Sequence, residues 1–119
     1  MAIIGMHLLF HSPDAEALRA VLRDAFGWPS VDASPGWPIF ATPPAEIGVH
    51  PGDAPGHEIS LMCDDLDTTI GELRAKGVTI RGEPEQRRFG RAVSLELPGG
   101  VAVLLYQASH PTAIRTDPA

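Results

Sequence analysis

The chain has one cysteine and one tyrosine in 119 residues, and aromatic side chains make up only 6% of it. With Cys63 alone, no intrachain disulfide and no cysteine-built metal site can form, and the expected compartment is the reducing cytoplasm. No apolar run approaches the roughly 20 residues needed to cross a bilayer. The apolar opening MAIIGMHLLF lacks the basic flank and the small-residue cleavage pattern of a secretion signal, and reads as a first strand. Basic residues are also scarce. Nine Lys and Arg stand against fifteen Asp and Glu, for a net charge of −6, so the overall field repels nucleic acid and anionic lipid. The one basic concentration, Arg87, Arg88 and Arg91 around Phe89 and Gly90, is too short for a nucleic-acid footprint and is expected to be a solvated hairpin. Nucleophile-elbow, phosphate-loop, CxxC and dinucleotide patterns are all missing.

What is present is ordinary for one globular domain: 44% hydrophobic and 20% charged residues, with glycines and prolines falling between periodic segments. Its informative feature is a repeat. His7 and His57, fifty positions apart, each open a strand-like run leading to an acidic helix start, and Gly27 and Gly77, also fifty apart, each close the helix that follows. In the first copy, residues 3–10 read as a strand and Ser12-Pro13 as a helix start. Leu18, Val21, Leu22, Ala25 and Phe26 then form one apolar stripe. Three short strands are expected near 29–32, 37–41 and 45–50. The second copy reads as strand 57–63, a helix capped by Asp64 with Leu66, Ile70 and Leu73 inward, and strands at 78–81, 91–97 and 101–107. The predicted fold class is therefore α+β, two βαβββ modules (about 1–51 and 57–107) in a single domain over 1–107. Internal pseudo-symmetry would bring their strands into one mixed sheet lining a cleft. Residues 108–119 are expected to be a loose tail.

Several segments together resemble the vicinal oxygen chelate superfamily, the glyoxalase, bleomycin-resistance and type I extradiol dioxygenase group. They are a strand opened by His, the DDLD helix entry, LRAKGV at the helix exit, GEPE, FGR, and LELPGGVAVLLYQ. The resemblance spans residues 3–107. It implies a cleft between modules and a homodimer. In metal-using members it implies a divalent ion held by His and Glu from the first and last strands of each module, with open positions for vicinal oxygens of a substrate. His7 and His57 match the first-strand positions. The last-strand positions hold Leu104 and, by the internal repeat, Gly48, neither of which can bind an ion. Glu46 and His50 share a strand face with Gly48 and are the remaining candidates to complete a ligand set.

Two readings follow, with no catalytic residue assigned. In the first, the chain binds a small organic molecule, of the antibiotic or natural-product kind, in a cleft without a full metal site and without a cofactor. The candidate contacts are Trp37, Phe40, His50, Phe89 and Tyr106. In the second, it is a divalent-metal-dependent lyase, isomerase or extradiol dioxygenase using iron, manganese, nickel or zinc on His7 and His57, with Glu46 or His50 added. A plainer alternative is a filled-core structural partner. Isolated histidines more often serve carbonyls than ions. Trp28 and Cys63 read as core, and His11 and His110 as solvent-facing.

Overall fold

The computed structural model describes residues 6–49 and 51–114. Its centre is a four-stranded sheet built from the second half of the chain. Two of its strands show why. In GRAVSLEL, Val93, Leu95 and Leu97 alternate with smaller or polar residues, and in VAVLLYQA Val103 and Leu105 are buried while Ala102, Leu104 and Tyr106 between and beside them are not, which suits a sheet with one covered face. These segments form β5 (Gly90–Leu97) and β6 (Val101–Ala108), which pair antiparallel with Leu95 opposite Val103. On one flank β4 (Thr79–Arg87) pairs antiparallel with β5, and on the other β3 (Ser60–Cys63) runs parallel to β6. The order across the sheet is β3-β6-β5-β4.

The parallel β3–β6 pair needs a crossover, and α2 (Leu66–Ala75) begins it. Asp65, not Asp64, caps this helix, its carboxylate accepting from the Thr68 amide at 3.1 Å. The expected cap was one residue early because both aspartates satisfy the same local pattern. The Gln107 side-chain oxygen accepts from the Leu66 amide at 2.9 Å, tying the helix start to β6. Leu66, Ile70 and Leu73 face the sheet as predicted and join Val78, Val93, Leu95 and Leu105 in the main core. Thus βαβββ is present in the second half.

The first half departs from that pattern. Helix α1 (Ala15–Ala20) continues as a π-helical turn, Val21–Ala25, and its stripe packs as predicted, with Leu18 and Leu22 against Leu97 and Val103 and Ala25 in the main core. Ser12 does not cap by the ordinary route alone: its hydroxyl accepts from the Asp14 amide and donates to the Pro98 carbonyl, pinning the helix entry to the β5–β6 turn. A Cβ at Gly99 in that turn would stand 2.0 Å from the Ser12 hydroxyl, so the contact requires glycine there. Strands β1 (Ser30–Ser34) and β2 (Trp37–Phe40) form a separate antiparallel hairpin. Residues 6–12 and 41–49 hold no strand, contrary to expectation. Pro43 and Pro44 donate no backbone hydrogen bond, and Met6, Leu8 and Leu9 lie exposed, so neither segment has the partner a strand requires.

Of the expected tail, Ala108 ends β6 and residues 109–114 bond back to the chain, the Ser109 amide to the Phe89 carbonyl and the Ala113 amide to the Glu46 carboxylate, both at 2.9 Å; residues 115–119 lie outside the described residues. No helix among the described residues is long and apolar enough to cross a membrane.

Candidate functional site

A sheet with helices on one face leaves the other face available, and strand alternation decides what lines it. On β6 these are Ala102, Leu104 and Tyr106, opposite Glu96, Ser94 and Ala92 of β5. From β3, Ser60 and Met62 lie beside Leu104 and Tyr106. Small and apolar groups dominate, with Arg81 and Glu96 forming an ion pair at the β4 side. Leu104, expected at a last-strand position, is half-buried on this face.

Tyr106 organises one end of it. The Phe89 ring meets Tyr106 edge-on, with centroids 5.2 Å apart and planes at 86°, a favourable aromatic geometry. His110 lies tilted against the opposite part of the cluster, its Nε2 3.2 Å from the phenol oxygen. Because its Nδ1 stands 2.8 Å from the Pro111 carbonyl, which can only accept, Nδ1 carries the proton and Nε2 accepts from Tyr106. Burial pushes the Tyr106 phenol above its ordinary range, and the negative charge of Glu46 adds to the shift. Glu46 itself is half-buried.

The other end is a hollow of about 360 Å³ beside the start of β3, lined by His57, Glu58, Phe10, Val101 and Leu104 among others. His57 and Glu58 both line this hollow from the irregular residues just before β3. His57 is exposed, as is His7 in its irregular segment.

The structure therefore brings Phe89 and Tyr106 together and draws Glu46 toward them through residues 109–114. Trp37, 49% exposed, sits on the β1–β2 hairpin, while Phe40 packs against the Leu18–Leu22–Leu97–Val103 cluster. His50 lies outside the described residues. His7, His57 and Glu46 do not converge, and no group of three or more His, Cys, Asp or Glu side chains among the described residues is placed to hold an ion. Leu104 and Gly48 offer no donor atom to an ion, and one Glu46 carboxylate oxygen accepts from the Ala113 amide. Glu58 at the hollow and His110 beside Tyr106 are not among the expected site residues, and His110 carries no pattern to find it because it lies beyond the last periodic strand.

No protein-family model matches the chain, and no curated protein does. Solved structures match over nearly its whole length. TnmS3, an antibiotic-binding protein from Streptomyces sp. CB03234, shares 25% identity, with a TM-score of 0.63 over 92% of this chain and all of the other. A member of the glyoxalase/bleomycin resistance protein/dioxygenase superfamily from Sphaerobacter thermophilus shares 24%, with a TM-score of 0.62 over 88% of this chain and 98% of that one. A lactoylglutathione lyase from Agrobacterium tumefaciens shares 18%, with a TM-score of 0.61 over 87% and 92%.

Proposed function

For a chain that belongs by fold to the vicinal oxygen chelate superfamily, we propose a binding role: it holds a small organic molecule, of the antibiotic or natural-product kind, against the open face of the β3-β6-β5-β4 sheet without a full metal site. The supporting observation is the composition of that face. Ala102, Leu104 and Met62 make an apolar floor, with Ala92 buried beneath its Tyr106 end, Ser60 and Ser94 add hydroxyls, and Tyr106 supplies a phenol at one end. Such a floor buries flat apolar area while a few polar groups set orientation, the usual division of labour in a small-molecule site. The likeness to an antibiotic-binding protein supports the same class of ligand.

The second half of this proposal concerns assembly. Met6, Leu8, Leu9, Val31, Trp37, Ile47 and Val49 are all exposed in the first half of the chain. A second copy covering them would complete the cleft as a homodimer in the cytoplasm. The large apolar side chains left in water on this half are what such a partner would cover.

Elemental analysis of protein purified without chelator or tag metal, with the His57→Ala variant beside it, tests the first half. No metal before or after incubation with iron, manganese, nickel or zinc is the expected result. Near-stoichiometric metal lost in the variant would overturn the binding reading in favour of a metal-dependent enzyme. Sedimentation velocity tests the second half, where a single monomeric species across the micromolar range would refute the dimer.

A further inference from the structure

Among the polar groups of the open face, the Tyr106 hydroxyl is satisfied from within the chain, by a residue that follows the last strand. His110 presents an aromatic ring tilted at 36° against Tyr106, with centroids 5.9 Å apart, and an acceptor nitrogen 3.2 Å from the phenol. A flat ligand carrying an acceptor would make those same two contacts. The segment that delivers His110 is held at three points: Ser109 to the Phe89 carbonyl, His110 to Tyr106, and Ala113 to Glu46. Residues 109 and 111–113 are exposed, so nothing packs over them to hold the segment in place. Three hydrogen bonds, each with a modest net worth, are a hold that a ligand can displace.

We infer that residues 109–114 are a displaceable strap, in which His110 acts as an internal competitor for the ligand that Tyr106 recognises. This rests on the proposed binding role and deepens it. The ligand class it selects is a planar molecule with a carbonyl or ring-nitrogen acceptor placed to take the Tyr106 proton as the His110 ring leaves. Glu46 is released from the Ala113 amide in the same step, so binding and strap opening are one equilibrium, and the apparent affinity is reduced by the fraction of chains with the strap closed.

Two readouts separate the strap from the binding role. Tyr106 is the chain's only tyrosine, so isotope-labelled tyrosine gives a single ring signal that reports the contact with no ligand present. Its resonance should move in His110→Ala and return toward the parent position in His110→Gln, which restores an acceptor. Prodan, a neutral naphthyl ketone whose fluorescence rises and shifts blue on desolvation, serves as the probe. Its dissociation constant should fall about fivefold in His110→Ala, the change expected when one competing hydrogen bond is removed, and by at least as much in a chain ending at Ala108, which loses all three. An unmoved tyrosine signal in His110→Ala overturns the contact and the strap with it. A moved signal with unchanged or weaker prodan binding in the shortened chain overturns the competition but leaves the cleft as a binding site. No prodan binding by any of the chains overturns both.

Discussion

Adjacent leucines on β6 offer a direct test of which sheet face is open. Leu105 is 3% exposed and packs among Leu66, Ile70, Leu73, Val93 and Leu95. Leu104, its neighbour, is half-buried on the opposite face. Truncating Leu105 to Ala removes three carbons from an enclosed core, so transfer and cavity terms add and the loss should be about 3 kcal/mol, within the usual range for buried leucine. At Leu104 no enclosed cavity is left behind, and only part of the side chain's transfer energy is at stake, about 1 kcal/mol. With a urea slope of about 2 kcal/mol per molar, the unfolding midpoint should drop by roughly 1.5 M for Leu105→Ala and about 0.5 M for Leu104→Ala. Urea titrations followed by tryptophan fluorescence measure both. Equal losses, or a larger loss at Leu104, would refute the face assignment and remove the floor of the proposed site.

Three further outcomes follow from local geometry. Gly90→Ala should destabilise by on the order of 3 kcal/mol, because the added Cβ would stand 2.1 Å from the Gln107 carbonyl in a backbone conformation that side chains rarely adopt; thermal unfolding checks this. Asp65→Ala should cost about 1 kcal/mol through the lost Thr68 cap, with Asp64→Ala costing far less, a contrast readable by helical circular dichroism on heating. Burial holds the Cys63 thiol above its ordinary range, with the nearby Asp64 and Asp65 charges adding to it. Its reaction with a disulfide reagent at mildly alkaline pH should therefore be slower than in urea-unfolded chain. The sign for stability is the same: a folded-state pKa above the unfolded one contributes stability that is present below the unfolded value and lost as pH rises through the folded value. Equal thiol rates in folded and unfolded chain would refute it.

How much of this was legible in the sequence differs between the halves for a physical reason. In the second half, local pattern and tertiary contact agree: Leu66, Ile70 and Leu73 at helical spacing meet Val93, Leu95 and Leu105 at strand spacing, and both faces of the decision lie within the same chain. The helix of the first half was legible on the same grounds. The repeat misled at the strand start before α2, where residues 57–59 hold no strand and β3 begins only at Ser60. It misled again at residues 6–12, since a strand is defined by its neighbour, and no described segment pairs with this one.

Residues 45–49 show what alternation alone does not decide. The segment AEIGV was expected to place Glu46 and Gly48 on one face, leaving Ile47 and Val49 on the other. The segment holds no strand, and only its charged side chain turns inward: Glu46 is half-buried against the Ala113 amide, while Gly48 is exposed, Ile47 is 73% and Val49 95% exposed. For a segment in isolation the inverse would be favoured, because an isoleucine and a valine gain about 2 kcal/mol each on burial and a carboxylate loses its hydration. The arrangement becomes favourable once Ile47 and Val49 meet apolar surface from outside their own chain, which is what the proposed second copy supplies. On the proposed dimer, which side of such a segment is inside is decided by the second copy, and local pattern does not encode that. Ile47→Asp should therefore leave the β3-β6-β5-β4 sheet intact by circular dichroism while shifting sedimentation toward monomer. Retention of the dimer in that variant would place its interface elsewhere.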